Sequence, residues 1–472
     1  MAPVEAGSEG SAVHAPLSRR TIVGYGVGSL GTGGFATLPG LVLVYYLTDT
    51  LGVAALVAGL LVTLAKIWDV VIDPYIGAIS DRSLARTGSR RRFMIFGGGL
   101  VPVFFILTFA VPAGVDPVVA VLWVLAAFLL TATAFSMFQV PYIALPAELV
   151  ETYDGRTRLI TWRVVFLTVA ILLFGAGGPA LRGLGGGGNL GYLLMAVVAG
   201  LVIGAGMLFS STIAPRGAGS GHSGKSTPIA EHYTAGIRAL RRSQPFRALL
   251  LTFVLQGLAT GIMLAGAQYV ATWVLHSEDA VTLLFLALIA PALVFAPVWG
   301  RIARRVGKER TFAYASVLYG VAALSLAGLL SAPGVWVYLP VAAAGAAYAG
   351  MQSLPLAMLP DVISHDAGRH DAGRHGAGQT NTGQAGVFSG MWTAGETTGM
   401  ALGATVLTVV LAATGYAQST AGAAVSQSPE AVVGIVLSFS VVPAVIMGLS
   451  LFSLRRYRLR KADIDVVARV AP

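Results

Sequence analysis

Apolar and polar positions alternate along the chain at the scale of whole helices. Twelve apolar runs, each near the roughly 20 residues that a bilayer requires, are separated by short polar stretches. They fall at residues 21–47, 54–79, 93–112, 117–145, 161–181, 190–214, 245–275, 280–300, 311–331, 335–363, 386–413 and 431–454. With no water to satisfy backbone groups in lipid, runs of this length and number predict helices. The expected fold is therefore all-α, a polytopic membrane protein of twelve transmembrane helices in two six-helix halves. Residues 1–20 are polar, end in Arg19-Arg20, and show neither a hydrophobic signal core nor a small-residue cleavage site, so they predict an N-terminal tail. Residues 21–214 form the first half, 215–244 a Gly-, Ser- and base-rich central loop, 245–454 the second half, and 455–472 a C-terminal tail.

Composition agrees. Of 472 residues 56% are hydrophobic and 11% charged, against about 25% charged in soluble domains. The absence of cysteine excludes disulfides and thiolate metal sites. The net charge of +10 points to nucleic acid only if it is spread over a surface, and it is not. Of 31 Lys and Arg, Lys66 and Arg163 lie inside spans and Arg182 falls in an odd-numbered loop. The other 28 lie in the tails, in even-numbered loops or within a turn of them. By the positive-inside rule both termini and all even-numbered loops are expected in the cytoplasm of a bacterial inner membrane.

Three charges interrupt the second span. Lys66, Asp69 and Asp73 stand at i, i+3 and i+7, on one helical face. A charge at the bilayer centre costs about 2.5–3.5 kcal/mol on insertion scales, so this face is expected to meet other helices or water and to mark a functional site. Oxygen ligands suit hard cations, and two facing carboxylates can share a proton. Pro74 has no N–H, so the Val70 carbonyl is expected to lose its helical donor and become available to a cation. Within the spans Lys66 and Arg163 give +2, and Asp69, Asp73 and Glu396 give −3. If all five share a cavity, one monovalent cation or proton brings the sum to zero.

An internal repeat divides six spans from six. Gly77-x-x-x-Asp81-Arg82 with trailing arginines follows span 2; Gly300-Arg301 with Arg304, Arg305 and Lys308 follows span 8. A weaker echo pairs Leu145-Pro146-Ala147-Glu148 with Leu359-Pro360-Asp361-Val362. Two six-helix halves with a basic loop after the second helix of each is a transporter plan. Gly77, Asp81, Arg82, Gly300, Arg301 and Asp361 are the expected gating residues, the glycines allowing close helix approach and Asp81 pairing with arginines. Ser136, Gln139, Gln256, Gln268, Gln352, Trp162 and Trp392 are polar or amphipathic positions on apolar spans, suited to a polyhydroxylated solute or to holding helices together. The tandem Asp366-Ala-Gly-Arg-His370-Asp-Ala-Gly-Arg-His375 has no spacing suited to zinc and reads as a duplicated loop insert.

At this point the chain resembles the major facilitator superfamily, and more narrowly the glycoside–pentoside–hexuronide:cation symporters, the melibiose-type carriers. The resemblance rests on Lys66-Ile-Trp-Asp-Val-Val-Ile-Asp-Pro74, Tyr45-Tyr46-Leu-Thr-Asp49 and Leu359-Pro-Asp-Val-Ile363. It implies cation binding at Asp69 and Asp73 and solute binding at Arg163, with Gln139 and Gln352 at substrate-facing positions. From the polar and charged positions on the spans, Ser136 is expected to help at the cation site and Trp392 and Glu396 at the solute site. Gly33 and Gln139 stand where these carriers place sugar-binding aspartates, Ile72 where sodium users carry an asparagine, and Glu396 where they carry a lysine. The expected function is alternating-access transport of a small polar solute, a sugar, glycoside or relative, coupled to H+ in preference to Na+. The alternatives are a proton-driven exporter of a natural product or drug and a lipid-type carrier. No hydrolase or P-loop signature appears, so no enzyme, no cofactor beyond the coupling ion, no metal and no nucleic acid are expected. The expected partners are the solute, a monovalent cation and the bilayer, around a monomer.

Overall fold

A computed structural model describes residues 18–150, 153–215, 240–277, 279–371, 381–420, 425–457 and 459; within its helices the side chains of residues 147, 153–154, 156–157, 363–371, 381–390, 393 and 396 lie outside the description. The first half comprises α1 (Arg19–Tyr45), α2 (Ala55–Thr87), α3 (Arg91–Thr108), α4 (Pro117–Leu149), α5 (Tyr153–Leu184) and α6 (Asn189–Ser211). The second comprises α7 (Gln244–Tyr269), α8 (Ala280–Val306), α9 (Lys308–Ser325), α10 (Tyr338–Asp371) and α11 (Asn381–Ala413), and a last crossing in two pieces, α12 (Pro429–Phe439) and α13 (Val441–Leu454). Among the described residues ten helices are long and apolar enough to cross a membrane, with Thr397–Ala413 of α11 a shorter apolar stretch.

Local chemistry fixes the helix ends. Ser18 and Ser428 accept from the backbone N–H groups of Thr21 and Ala431, and Asp116 accepts from Val118 N at 2.8 Å, satisfying orphan donors. Gly88 closes α2 at φ 67° and donates to the Leu84 carbonyl, a left-handed cap that favours glycine. Span 12 is not one helix. Pro443 cannot donate to the Phe439 carbonyl one turn back, and the chain breaks at Ser440 (φ −124°, ψ −76°).

The two halves pack in matching ways. α1 is buried against α5 and α6, and α7 against α11 and α13; α3 packs on α4 and α6, and α9 on α10 and α13. Small residues permit these approaches. A Cβ on Gly97 would stand 2.6 Å from the Ala134 carbonyl of α4, and one on Gly345 would collide with the Leu288 carbonyl of α8. The halves meet through α1 with α7, α2 with α11 and α5 with α8. Hydrogen bonds across this seam cluster toward the odd-numbered loops: Thr63 with Thr405, Thr282 with the Ala176 carbonyl, and Thr48 with Tyr269. The odd-loop face is thus the closed one.

A repeat hidden in the sequence appears at the ends of α1 and α7. Each passes into one turn of π-helix, Tyr46–Thr50 and Val270–Val274. The offset is 224 residues (270 − 46). The backbone bonds that leave each turn repeat at the same offset: Leu51 N to Tyr46 O and Val53 N to Leu47 O, then Leu275 N to Val270 O and Ser277 N to Ala271 O.

Candidate functional site

The charged face of α2 splits between two partners. Lys66 Nζ bonds Asp69 Oδ2 at 2.8 Å, with both side chains partly buried. The other oxygen, Asp69 Oδ1, is buried without a partner among the described residues. Asp73, one turn on, is exposed on the protein surface, with Ser136 of α4, Lys66 and Asp69 near enough to act on its charge. Lys66, Asp69, Asp73 and Ser136 are therefore brought together as the sequence implies, with Lys66 paired to Asp69. Val70, one turn before Pro74, keeps an interaction of its own.

Arg163 stands ten residues into α5 and belongs to a second group. Its guanidinium lies 5.5 Å from the centre of the Tyr142 ring, a cation–π contact. Tyr142 stacks on Tyr25 at 4.7 Å, donates to the Tyr25 carbonyl at 2.7 Å and shares a hydrogen bond with Ser29 at 2.9 Å. Around it Arg163 Nε, Tyr25 Oη and Gln139 Oε1 are buried without partners among the described residues. Ser136 and Gln139 are three apart on α4, so one helix touches both groups. The expected sharing of one cavity by five charges includes Glu396, whose side chain lies outside the described residues. Three charges gather on α2, Arg163 sits with the tyrosines, and Glu396 lies on α11.

In the second half Gln352 lines a cavity with Gln256, Thr260, Tyr348, Phe253 and Met400. Its amide donates to Tyr348 Oη at 2.5 Å. Gln256, buried, reaches Ser316 at 2.8 Å. Trp392 is not a lining residue. It is buried and stacked on Phe253 at 4.2 Å, so Phe253 presents the surface and Trp392 backs it. Trp162 is exposed, and Gln268 is fully buried beside Thr272.

Among the described residues the gating positions resolve into an ion triad in the first half and an ion pair in the second. Arg90 joins Asp81 and, at 2.8 Å, Glu148. Lys308 joins Asp361 at 2.6 Å. Each cation stands at the start of the third helix of its half, and its partner on the fourth, Glu148 at the end of α4 and Asp361 ten residues before the end of α10, so the sequence echo has a physical counterpart. Burial pushes the Glu148 carboxyl above the usual carboxylate range, and Arg90 works against that. Arg82, Arg301 and Gly300 take no part in the described pairs: both arginines are exposed, and a Cβ on Gly300 would meet only Arg304 at 3.9 Å. At Gly77 a Cβ would meet Val140 at an ordinary 3.6 Å. Close helix approach therefore explains neither glycine, contrary to expectation. The tandem repeat over 365–375 lies outside the described residues, in its side chains to 371 and entirely beyond. Among the described residues no group of three acids or histidines could hold a metal ion.

Sequence reasoning missed Tyr25, Tyr142, Tyr348 and Thr260, because a lone hydroxyl on an apolar span carries no signal until its neighbours are known.

Residues 24–461 match the family described as MFS/sugar transport protein. The chain belongs to that family. Over 444 residues it is 26% identical to the uncharacterized symporter YnaJ of Bacillus subtilis, covering 93% of this chain and 91% of that one. It is 24% identical over 439 residues to the isoprimeverose transporter of Lactiplantibacillus pentosus, covering 90% and 86%. Its fold is that of the nucleoside transporter NupG, with TM-score 0.62 at 11% identity over 93% of this chain and 100% of that one. The family member described here is thus a multi-pass membrane transporter of the major facilitator fold.

Proposed function

We propose that this chain moves a small polar solute, a sugar or glycoside, across the bacterial inner membrane by alternating access, in symport with a proton. The observation that carries the reading is the α2 cluster: an acid paired with Lys66 whose second oxygen is buried and unpartnered among the described residues, and a second acid near Ser136. Lys66 offsets one of the two acids, so the cluster carries one net negative charge, which one bound monovalent cation or proton neutralises. The unpartnered Arg163 Nε, Tyr25 Oη and Gln139 Oε1 form a donor-and-acceptor set that suits sugar hydroxyls or a carboxylate. The names of relatives, a glucuronide carrier homolog and an isoprimeverose transporter among them, favour the same solute class.

Ile72 supplies no oxygen beside the two acids, and sodium must replace its water shell with several. A proton needs one carboxylate. The test is uptake of labelled glycosides into proteoliposomes under an imposed pH gradient, then under an imposed sodium gradient. Accumulation driven by pH and indifferent to sodium is expected. Accumulation driven by sodium alone overturns the proton reading.

A further inference from the structure

At the odd-loop face a clasp joins the halves, and its hub is a carboxyl that neither the solute nor the cation reading uses. Asp49 is 8% exposed. Thr48 Oγ1 donates to its Oδ2 at 2.5 Å, and Tyr416 Oη donates to its Oδ1 at 2.6 Å. Trp273 Nε1 in turn donates to Tyr416 at 2.7 Å. Thr48 also shares a hydrogen bond with Tyr269 at 2.7 Å. Backbone completes the join: Ser419 N donates to the Thr48 carbonyl at 2.9 Å, and Leu51 pairs with Thr420 in an isolated antiparallel bridge. Thr48 and Asp49 belong to the first half; Tyr269, Trp273, Tyr416 and Ser419 belong to the second.

The geometry is specific in two ways. The matched π-turns that end α1 and α7 swing Asp49 and Trp273 into the same seam, and each turn is preceded by a tyrosine, Tyr45 and Tyr269, whose rings pack edge to face at 5.0 Å. A buried acid is also an expensive way to fill a seam that apolar side chains would fill at less cost. Its bonds to Tyr416 exist only while the two halves touch.

We infer that Asp49 is a positioning residue for transport: its carboxylate latches the odd-loop face shut, and release of Tyr416 is the step that lets that face open. The inference rests on the alternating-access reading, which requires this face to open once per cycle. Loss of the latch then shifts the population toward the state open at the odd loops without touching the solute or cation groups.

The chain has no cysteine, so one introduced thiol reports opening alone. Thr408 is fully buried, and a Cβ on Gly59 of α2 would collide with its hydroxyl, so Thr408→Cys lies in the α2–α11 seam beneath the clasp. Its reaction with a membrane-impermeant maleimide is followed in whole cells and in inverted vesicles, which removes any dependence on which face is outside. Relative to Thr408→Cys alone, adding Asp49→Ala should speed labelling from the odd-loop face about tenfold or more, and adding Tyr416→Phe severalfold, the shifts that loss of buried charge-assisted and single hydrogen bonds produces. Adding Gly345→Ala, which loosens packing within the second half, should leave the rate unchanged. Labelling of the Asp49→Ala or Tyr416→Phe protein no faster than the parent overturns the latch, as does equal acceleration by Gly345→Ala. If Asp49→Ala fails to reach the membrane, Tyr416→Phe decides. Labelling needs no solute, so a failed latch leaves the uptake result standing, and a wrong solute or ion leaves labelling untouched.

Discussion

Arg163 and Asp73 carry the sharpest consequences of single side chains. Arg163 offers five donors in a planar fork, and Tyr142 holds that plane by a ring contact at 5.5 Å. Lysine keeps the charge and loses both the fork and the stacking plane. Arg163→Lys should therefore reach normal membrane levels and lose solute uptake by about tenfold or more. Wild-type uptake in that variant, measured against quantified protein, would remove Arg163 from the solute site. Lys66 is paired with Asp69, and Asp73 is exposed one turn on, so an amide at position 73 can be accommodated without breaking the Lys66–Asp69 pair. Asp73→Asn should abolish accumulation against a gradient and leave solute exchange across preloaded vesicles intact. Concentrative uptake that survives the change would show that Asp73 does not carry the coupling ion. The acids and Arg163 were legible in the sequence because charge on an apolar span stands out. Tyr142, the residue that orients Arg163, was not, because a tyrosine there looks like any other aromatic. Trp392, read as suited to a solute or to holding helices together, is buried and stacked on Phe253.

Among the helices, boundaries followed hydropathy closely, and the departures have identifiable causes. Span 12 breaks at Ser440 because Pro443 removes a helical donor. Arg182, which the spacing puts in a loop, is the last turn of α5, 2% exposed, and bonds Tyr192 at 3.1 Å. The π-turns were not read from the sequence, since Tyr46–Thr50 and Val270–Val274 share a backbone but, of their five positions, only the threonines Thr48 and Thr272. Glycine roles also had to be seen. The sequence favoured Gly77 as a contact glycine, yet a side chain there meets only Val140 at 3.6 Å, while one at Gly345 would drive into the backbone of α8. Gly77→Ala is thus expected to leave thermal stability in detergent near that of the wild type. Gly345→Ala should lower it by about 1–3 kcal/mol, because α8 and α10 must part to admit the methyl group. The reverse order in a thermal unfolding series would contradict the packing of α10 on α8.

For the whole molecule, the two-half plan was legible because each half ends its second helix in a basic loop, and the ion pairs Arg90–Glu148 and Lys308–Asp361 place that echo at equivalent corners. The relation across the seam, α2 with α11 and α5 with α8, was not, because it depends on contacts between residues hundreds of positions apart. The placement of Arg182 also sharpens the expected orientation. It was the one cation assigned to an odd-numbered loop, and it is a buried helix residue. The stretches between helices on that face, residues 51–54, 109–116, 185–188, 275–279, 331–334 and 414–428, then contain no Lys or Arg, while they hold Asp116, Glu278 and Asp279. Against them stand Arg86, Arg90, Arg91 and Arg92, then Arg301, Arg304, Arg305 and Lys308, on the opposite face. Insertion favours retention of short cationic loops in the cytoplasm, so the odd-loop face, closed by Asp49, should be the outer one. Alkaline phosphatase fused after Gly114, Gly186 or His276 should be active, and fused after Arg92 or Arg305 inactive. Activity in the second set and none in the first would invert the molecule. The clasp would then guard the cytoplasmic entrance.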